Sequence, residues 1–293
     1  MKIDIHCHST ASDGSLTPQE LVQRAHVMQV NLLALTDHDT IAGIESAQQA
    51  LASLRGGAPM QLVTGIEISC RWHSFEIHVL GWHFDRDNAV LNDLIAAQSQ
   101  ARRDRAACIM DKLEAQGVKP EHLELVRAKQ ARGDELVTRK HLAEALLAHN
   151  YVATLDDAFK RYLGKGQCAY TTPQWCSIED AVRALHDAGG VAAIAHPLAY
   201  DMSTKWLKRL LQDFVDAGGD ALEVSSGQQT PQQRDWLAQL AEQYGLFASA
   251  GSDFHNPGRW RELGHNIHLP KNSHAVWQTW PEYLELVEQT AVS

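Results

Sequence analysis

Short apolar runs recur along this chain, starting near Lys2, Leu32, Leu62, Glu76, Val191, Ala221 and Phe247, with amphipathic helical patterns between most of them. Leu32-Leu-Ala-Leu-Thr36 has no polar face, which is the pattern of a strand covered on both sides in a wound parallel sheet. The alternation of such runs with helices predicts an α/β fold. What distinguishes this chain is that several runs end on, or enclose, ionisable residues.

In the first run, Ile3, Ile5 and Cys7 alternate along one strand face, so His6 and His8 share the other. Two imidazoles on one face can hold one metal ion, although the pair alone also fits two hydrogen-bonded histidines. Asp13-Gly14 then reads as turn chemistry, and Thr17-Pro18 with Glu20 as a helix start. The second run ends in Thr36-Asp37-His38-Asp39, and three ionisable groups at a buried strand tip are costly without a cation or a hydrogen-bond network. His38 reads as a ligand, with Asp37 or Asp39 as its orienting carboxylate. Glu67, isolated between Ile66 and Ile68, needs a compensating charge. His78 follows on the next strand, whereas His73 and His83 read as loop or surface residues. Later runs end at His196-Pro197 and at Gly251-Ser252-Asp253-Phe254-His255. A closing helix is predicted over Trp277 to Val287.

With 293 residues, 44% hydrophobic and 21% charged, the chain suits one large α/β domain or a domain with an insertion. No run approaches the ~20 apolar residues of a membrane span. One Lys and no apolar leader precede the first strand, so a cytoplasmic location is expected. Cys7, Cys70, Cys108, Cys168 and Cys176 lack CxxC spacing, which fits reduced thiols better than disulfides or a thiolate zinc site. A formal net charge of -10 argues against a general nucleic-acid coat.

Residues 98–172 differ in character. This stretch is helical in pattern, with Arg102, Arg103 and Arg105 expected to open a helix, and it carries 13 basic against 10 acidic residues in an otherwise acidic chain. It is predicted as an inserted helical substrate-specificity domain between two barrel parts, residues 1–97 and 173–293. Thr138-Arg139-Lys140-His141 and Phe159 to Gly166, including Lys160 and Lys165, are its clusters suited to gripping an anion. Tyr162, Tyr170 and Trp175 can stack a base or fill a core.

His6-Cys7-His8, Asp13, Thr36 to Asp39, Glu67, His78, His196-Pro197 and Ser252 to His255, in that order, resemble the PHP (polymerase and histidinol phosphatase) superfamily across the barrel portion. The helical insertion, Phe159 to Gly166 with Tyr170 and Gln174-Trp175, and the Gly251 to His255 motif resemble the subgroup of 3',5'-nucleoside bisphosphate phosphatases and ribonuclease AM-type 5'-to-3' exoribonucleases. The resemblance implies a distorted seven-stranded (β/α) barrel around two or three divalent ions, Mn foremost, with Mg, Fe or Zn as alternatives. It places His6, His8, Glu67 and Asp253 at one ion, Glu67, His78 and His196 at a second, and Asp13, His38 and His255 at a third. Asp13, His38, Glu67, His196 and His255 are then the catalytic candidates, and Thr138, Arg139, Lys160 and Lys165 the substrate-phosphate candidates.

Ions sharing Glu67 would activate water for in-line attack on phosphorus and neutralise its nonbridging oxygens. The 3'-phosphate of a nucleoside 3',5'-bisphosphate and the first internucleotide phosphate of a 5'-phosphorylated RNA differ only by an ester on the far oxygen. One site that grips the terminal 5'-phosphate therefore suits both, giving 5'-mononucleotides and a possible role in RNA 5'-end maturation. The alternatives are a histidinol-phosphate-type phosphatase, which the basic insertion disfavours, and a non-catalytic metal-stabilised regulatory module. The expected partner is a nucleotide or short 5'-phosphorylated RNA, with no membrane and no protein partner predicted.

Overall fold

Each of the apolar runs forms a strand: β1 (Ile3–Asp4), β2 (Leu32–Leu35), β3 (Gln61–Trp72), β4 (Phe75–Trp82), β5 (Val191–Ile194), β6 (Ala221–Ser225) and β7 (Phe247–Ala250). The computed structural model describes residues 1–132, 136–227, 229–258 and 261–292. The strands lie side by side in chain order. The sheet nearly closes, because Ile5 N–H donates to the Ala250 carbonyl at 3.2 Å and His8 N–H to that of Phe254 at 2.9 Å. The result is an α/β barrel of distorted, seven-stranded form.

The distortion lies at β4. β1 to β3 are mutually parallel, as are β5 to β7, but β4 runs antiparallel to both neighbours. A uniformly parallel sheet, as the apolar runs predict, is therefore corrected at this strand. Only His73 and Ser74 separate β3 from β4, and a parallel return needs a crossover of about a dozen residues or more.

Helix α1 (Pro18–Val27) begins at a capping box in which Thr17 and Glu20 satisfy each other's end of the turn and Pro18 takes the first position. With α2 (Ile44–Ser53) it buries Leu21, Val22, Ala25 and Ala47 against Leu33 and Leu35 of β2. After β4, α3 (Ala89–Ala115), α4 (Glu124–Arg132), α5 (Arg139–Ala148), α6 (Leu155–Ala158) and one π-helical turn at Phe159–Leu163 pack a core of their own, including Ile109, Leu113, Leu123, Leu142, Leu146 and Ala169. Arg102, Arg103 and Arg105 do not open a helix. They lie within α3, because the side chain of Asn88 caps it by accepting from Leu91 N–H and no breaker follows until Gly117. Then α7 (Ile178–Asp187), α8 (Thr204–Asp216) and α9 (Pro231–Gln243) contribute Leu185, Phe214 and Leu237 to the core outside β3 to β6.

Inside the barrel, alanines at 193, 195, 221 and 250 leave the space that Trp82 and Trp280 fill with ring centres 5.8 Å apart. Trp82 also donates its indole N–H to the Ile5 carbonyl at 2.9 Å. The predicted closing helix is interrupted. A 3₁₀ turn over Val276–Thr279 gives way to an extended Trp280, and α10 (Pro281–Val292) starts afresh. Pro281 disfavours the helical conformation at the residue before it. Among the described residues no helix is long and apolar enough to cross a membrane.

Candidate metal centre

Glu67 is the hub. It sits in β3 with no solvent exposure, and five imidazoles converge on its carboxylate. Its Oε2 lies 3.4 Å from His6 Nε2, 3.2 Å from His8 Nε2 and 2.9 Å from His38 Nδ1, and its Oε1 lies 2.9 Å from His78 Nδ1 and 3.0 Å from His196 Nε2. Asp253 Oδ1 reaches His8 Nε2 at 3.4 Å and His255 Nδ1 at 3.4 Å, and Asp13 Oδ1 reaches His255 Nε2 at 3.3 Å. All nine candidate ligands named from the sequence thus come together.

The backbone is bent to bring them there. Asp39, His196 and Asp253 have φ of 50°, 28° and 52°, a left-handed region that non-glycine residues occupy at a cost and that concentrates at functional sites. Ser9 and Ser12 hydroxyls donate to Asp37, pinning the Asp13 loop to the end of β2. Asp39 accepts from Ser69 N–H, Gln98 and Arg102. Neither aspartate orients the His38 imidazole as the sequence suggested. Both carboxylates are instead drawn to nearby hydroxyl, amide and guanidinium donors, and the His38 imidazole faces Glu67 and Asp13.

Two carboxylates that the sequence reading passed over hold this assembly from behind. Glu223, on β6 and fully buried, lies 2.9 Å from His6 Nδ1 and accepts from His196 N–H at 2.6 Å. By taking Nδ1–H it turns His6 Nε2 toward Glu67 and Asp253, as supporting carboxylates do at metal sites. Asp4, pushed up to about 6 by burial despite the N–H groups of Ser252, Gly264 and His6, ties β1 to the loop after β7. Glu223 carries the same signal as Glu67, an isolated carboxylate in an apolar strand.

The donor atoms fit divalent cations. His6 Nε2, His8 Nε2, Asp13 Oδ1, His38 Nδ1 and Glu67 Oε2 are buried and make no hydrogen bond among the described residues, and such atoms ordinarily have partners. They fall into overlapping sets: His8, Asp13, His38 and His255; His6, Glu67 and His196; His6, His8 and Asp253; His38, Glu67 and His78. Imidazole and carboxylate without thiolate suit Mn, Fe or Zn. Cys7 stays out of the set, its thiol donating to the Ala34 carbonyl at 3.2 Å.

The groups also neutralise one another. Burial pushes the Asp13, Glu67 and Asp253 carboxyls up, but facing imidazoles hold all three well below the usual carboxylate range. Conversely, burial opposes charge on His255, yet Asp13 and Asp253 raise it to about 9.

A cavity of about 150 Å³ opens beside this cluster, touching Asp13, His38 and His78 on one side and Arg102, Arg105, Arg139 and Lys140 on the other. Thr138, also in its wall, caps α5 through its hydroxyl and so sets Arg139 at the helix start. Arg105 makes a two-pronged contact with Glu76 at 3.0 and 3.1 Å, and Arg139 reaches the same carboxylate at 3.3 Å. Burial raises the Glu76 carboxyl, but Arg139 and Arg105 outweigh it and lower it to about 2. Trp175 lies in the wall with Arg102 over its ring at 4.9 Å.

Lys160 and Lys165 do not line this cavity. Lys160 is exposed and paired with Asp156 one turn earlier, and Lys165 donates to the Ser74 carbonyl at 3.1 Å. Arg102 and Arg105, absent from the predicted set, stand there instead. Their spacing along α3, three residues apart on one helix face, was the available signal. Tyr162 packs against the helical core, and Tyr170 lies outside the lining with Arg105 6.0 Å from its ring.

The PHP domain model matches residues 4–227. A "5'-3' exoribonuclease Rnm" of Salmonella typhimurium is 45% identical over 279 residues, covering 95% of this chain and 94% of that protein. A "3',5'-nucleoside bisphosphate phosphatase" of Chromobacterium violaceum is 38% identical over 277 residues, covering 94% of this chain and 95% of that one. A solved structure from Chromobacterium violaceum, described as an amidohydrolase with bound sulfate and no metal, superimposes with a TM-score of 0.86 at 35% identity, covering 99% of this chain and 97% of that one.

Proposed function

The chain belongs to the PHP domain family, and on that premise we propose that it is a divalent-metal-dependent phosphoesterase with two outlets for one chemistry. It removes the 3'-phosphate of nucleoside 3',5'-bisphosphates. As a 5'-to-3' exoribonuclease it also hydrolyses the first internucleotide bond of 5'-phosphorylated RNA. Both activities release 5'-mononucleotides. The names of the two relatives support this pair.

One observation carries the reading: a cavity with three arginines and a lysine in its wall opens directly onto Asp13, His38 and His78. A phosphate gripped by Arg105 and Arg139 leaves the neighbouring phosphate at the cluster. Lys140 donates to the Asp13 carbonyl at 2.5 Å and so links the cationic wall to the ligand loop. Glu76 holds the two guanidinium groups in place until a phosphate arrives, and Trp175 offers a face beside them. Thr138 positions Arg139, and we retain Lys160 and Lys165 only as outlying cations of the inserted unit at residues 98–172.

His6, His8, Asp13, His38, Glu67, His78, His196, Asp253 and His255 would hold two or three ions, with Mn the first to test. When bound, such ions activate water and stabilise charge on phosphoryl oxygens. The protein's own residues fix the direction of the substrate, which enters with its 5'-phosphate in the cationic cavity. All five thiols are free, in keeping with the proposed cytoplasmic location.

The test is a Mn-supplemented hydrolysis assay pairing 3',5'-adenosine bisphosphate with a 5'-phosphorylated RNA oligonucleotide, each beside its 5'-hydroxyl counterpart. Release of 5'-AMP and of successive 5'-mononucleotides, both dependent on the 5'-phosphate, is expected. Turnover of histidinol phosphate with neither nucleotide cleaved would overturn the assignment.

A further inference from the structure

The cationic cavity is not the only opening onto the ligand cluster. A second cleft, of about 190 Å³, is bordered by His196 and Asp253 and walled in part by Ser226, Gln229, Gln233 and Arg261. Among the described residues the two openings share no lining residue. One reaches the cluster through Asp13, His38 and His78, and the other through His196 and Asp253. A substrate that ends at its reacting phosphate needs only the first.

The second cleft is built to donate hydrogen bonds. Gln229 Oε1 accepts Ser226 N–H at 2.8 Å, and Gln233 Oε1 accepts Thr230 N–H at 2.8 Å. Each amide oxygen is thereby committed to the backbone, which leaves each side-chain NH₂ as the group still available to a ligand. Arg261 bonds Asp253 through one guanidinium nitrogen and keeps further N–H groups beyond it. Asp253 is the one carboxylate among the residues lining this cleft. Amide, hydroxyl and guanidinium donors around a space of about six water volumes match the oxygens of a sugar-phosphate unit.

We propose that this cleft binds the nucleotide following the scissile phosphate of an RNA and is the feature that admits a strand as well as a bisphosphate. The proposal rests on the function proposed above. In the reaction, a water oxygen bonds to phosphorus, the bond from phosphorus to O3' of the first nucleotide breaks, and a proton passes to that O3'. The first nucleotide leaves as a 5'-mononucleotide with a 3'-hydroxyl. Phosphorus stays esterified to O5' of the second nucleotide and becomes its new 5'-phosphate. That second nucleotide occupies the donor-lined cleft. A bisphosphate loses the same bond, gives inorganic phosphate and leaves the cleft empty.

Gln229→Glu combined with Gln233→Glu tests this. Glutamate keeps the oxygen that each backbone N–H needs, and at 233 it preserves the capping pattern with Thr230. It replaces both NH₂ donors with anionic oxygen. The ratio of kcat/KM on a 5'-phosphorylated RNA trimer to that on 3',5'-adenosine bisphosphate should fall about tenfold or more, the equivalent of hydrogen bonds to a charged group. In EDTA-treated protein, fluorescence anisotropy should show weaker binding of the 5'-phosphorylated oligonucleotide relative to competition by 5'-AMP. A ratio and a relative affinity at the parent values overturn the cleft assignment while the function reading stands. If the parent protein cleaves neither substrate, that reading fails, and the anisotropy comparison still decides whether the cleft holds RNA.

Discussion

Glu223 touches no space that a substrate enters, yet its two oxygens hold His6 Nδ1 and His196 N–H, which lie just beyond the ends of two different strands, β1 and β5. Glu223→Gln keeps the volume and one acceptor but sets an NH₂ against one of those two donors. Divalent-ion affinity, read by calorimetry, should fall about 10- to 100-fold, as for other supporting groups at metal sites, with activity recovered at higher metal concentration. An unchanged binding isotherm would reduce Glu223 to a packing role. Arg139 makes the complementary case for substrate. Arg139→Ala removes a guanidinium that already meets a carboxylate at 3.3 Å, so KM for 5'-phosphorylated substrates should rise about 10- to 100-fold. Their 5'-hydroxyl counterparts should change little. Equal effects on both kinds would place the 5'-phosphate elsewhere. At this scale the clustering of the nine candidate ligands was legible because ionisable side chains in apolar strands declare themselves. The cationic wall was legible only in part: Arg139, named from the sequence, lines the cavity, but Lys160 and Arg102 look alike in a helical sequence and only folding puts one on the outside and the other against Asp39.

At the scale of elements, the contact between the ends of β1 and β7 sets the geometry of the site. A Cβ on Gly251 would lie 2.2 Å from His6 Cβ and 2.8 Å from His6 N, far inside van der Waals contact and against backbone that has nowhere to move. Gly251→Ala should therefore spread the two segments. The expected cost is about 1–3 kcal/mol of stability in urea denaturation, together with weakened ion binding, because His6 and Asp253 flank the contact. A variant with the parent's midpoint and the parent's metal affinity would show that the closure is slack. The positions of the strands could be read from apolar runs, but the direction of β4 could not. Periodicity reports which faces are buried and is silent on whether neighbours run parallel. The two-residue link at His73 and Ser74 was the clue. Trp280-Pro281 is a similar case, where an apolar periodicity continues across a residue pair whose local stereochemistry disfavours one continuous helix.

On the scale of the molecule, the candidate ligands come from β3, β4 and the segments that follow β1, β2, β5 and β7, so an ion bound among them would cross-link most of the barrel. The Asp13, Glu67 and Asp253 carboxylates also face imidazoles, which hold them well below the usual carboxylate range. The barrel also keeps its interior of Trp82, Trp280 and Leu286, and the helical unit has a core independent of the site. Stripping the protein with EDTA should therefore abolish hydrolysis without altering the far-UV circular dichroism spectrum. The Tm should drop, because each ion held at a hundred times its Kd contributes about 2.7 kcal/mol to the native state. Readdition of Mn should restore both activity and Tm. Loss of the circular dichroism signal on chelation would instead mean that the ions hold the fold together, the behaviour of a structural metal module. Hydrolysis that persists after complete stripping would remove the ions from the chemistry altogether.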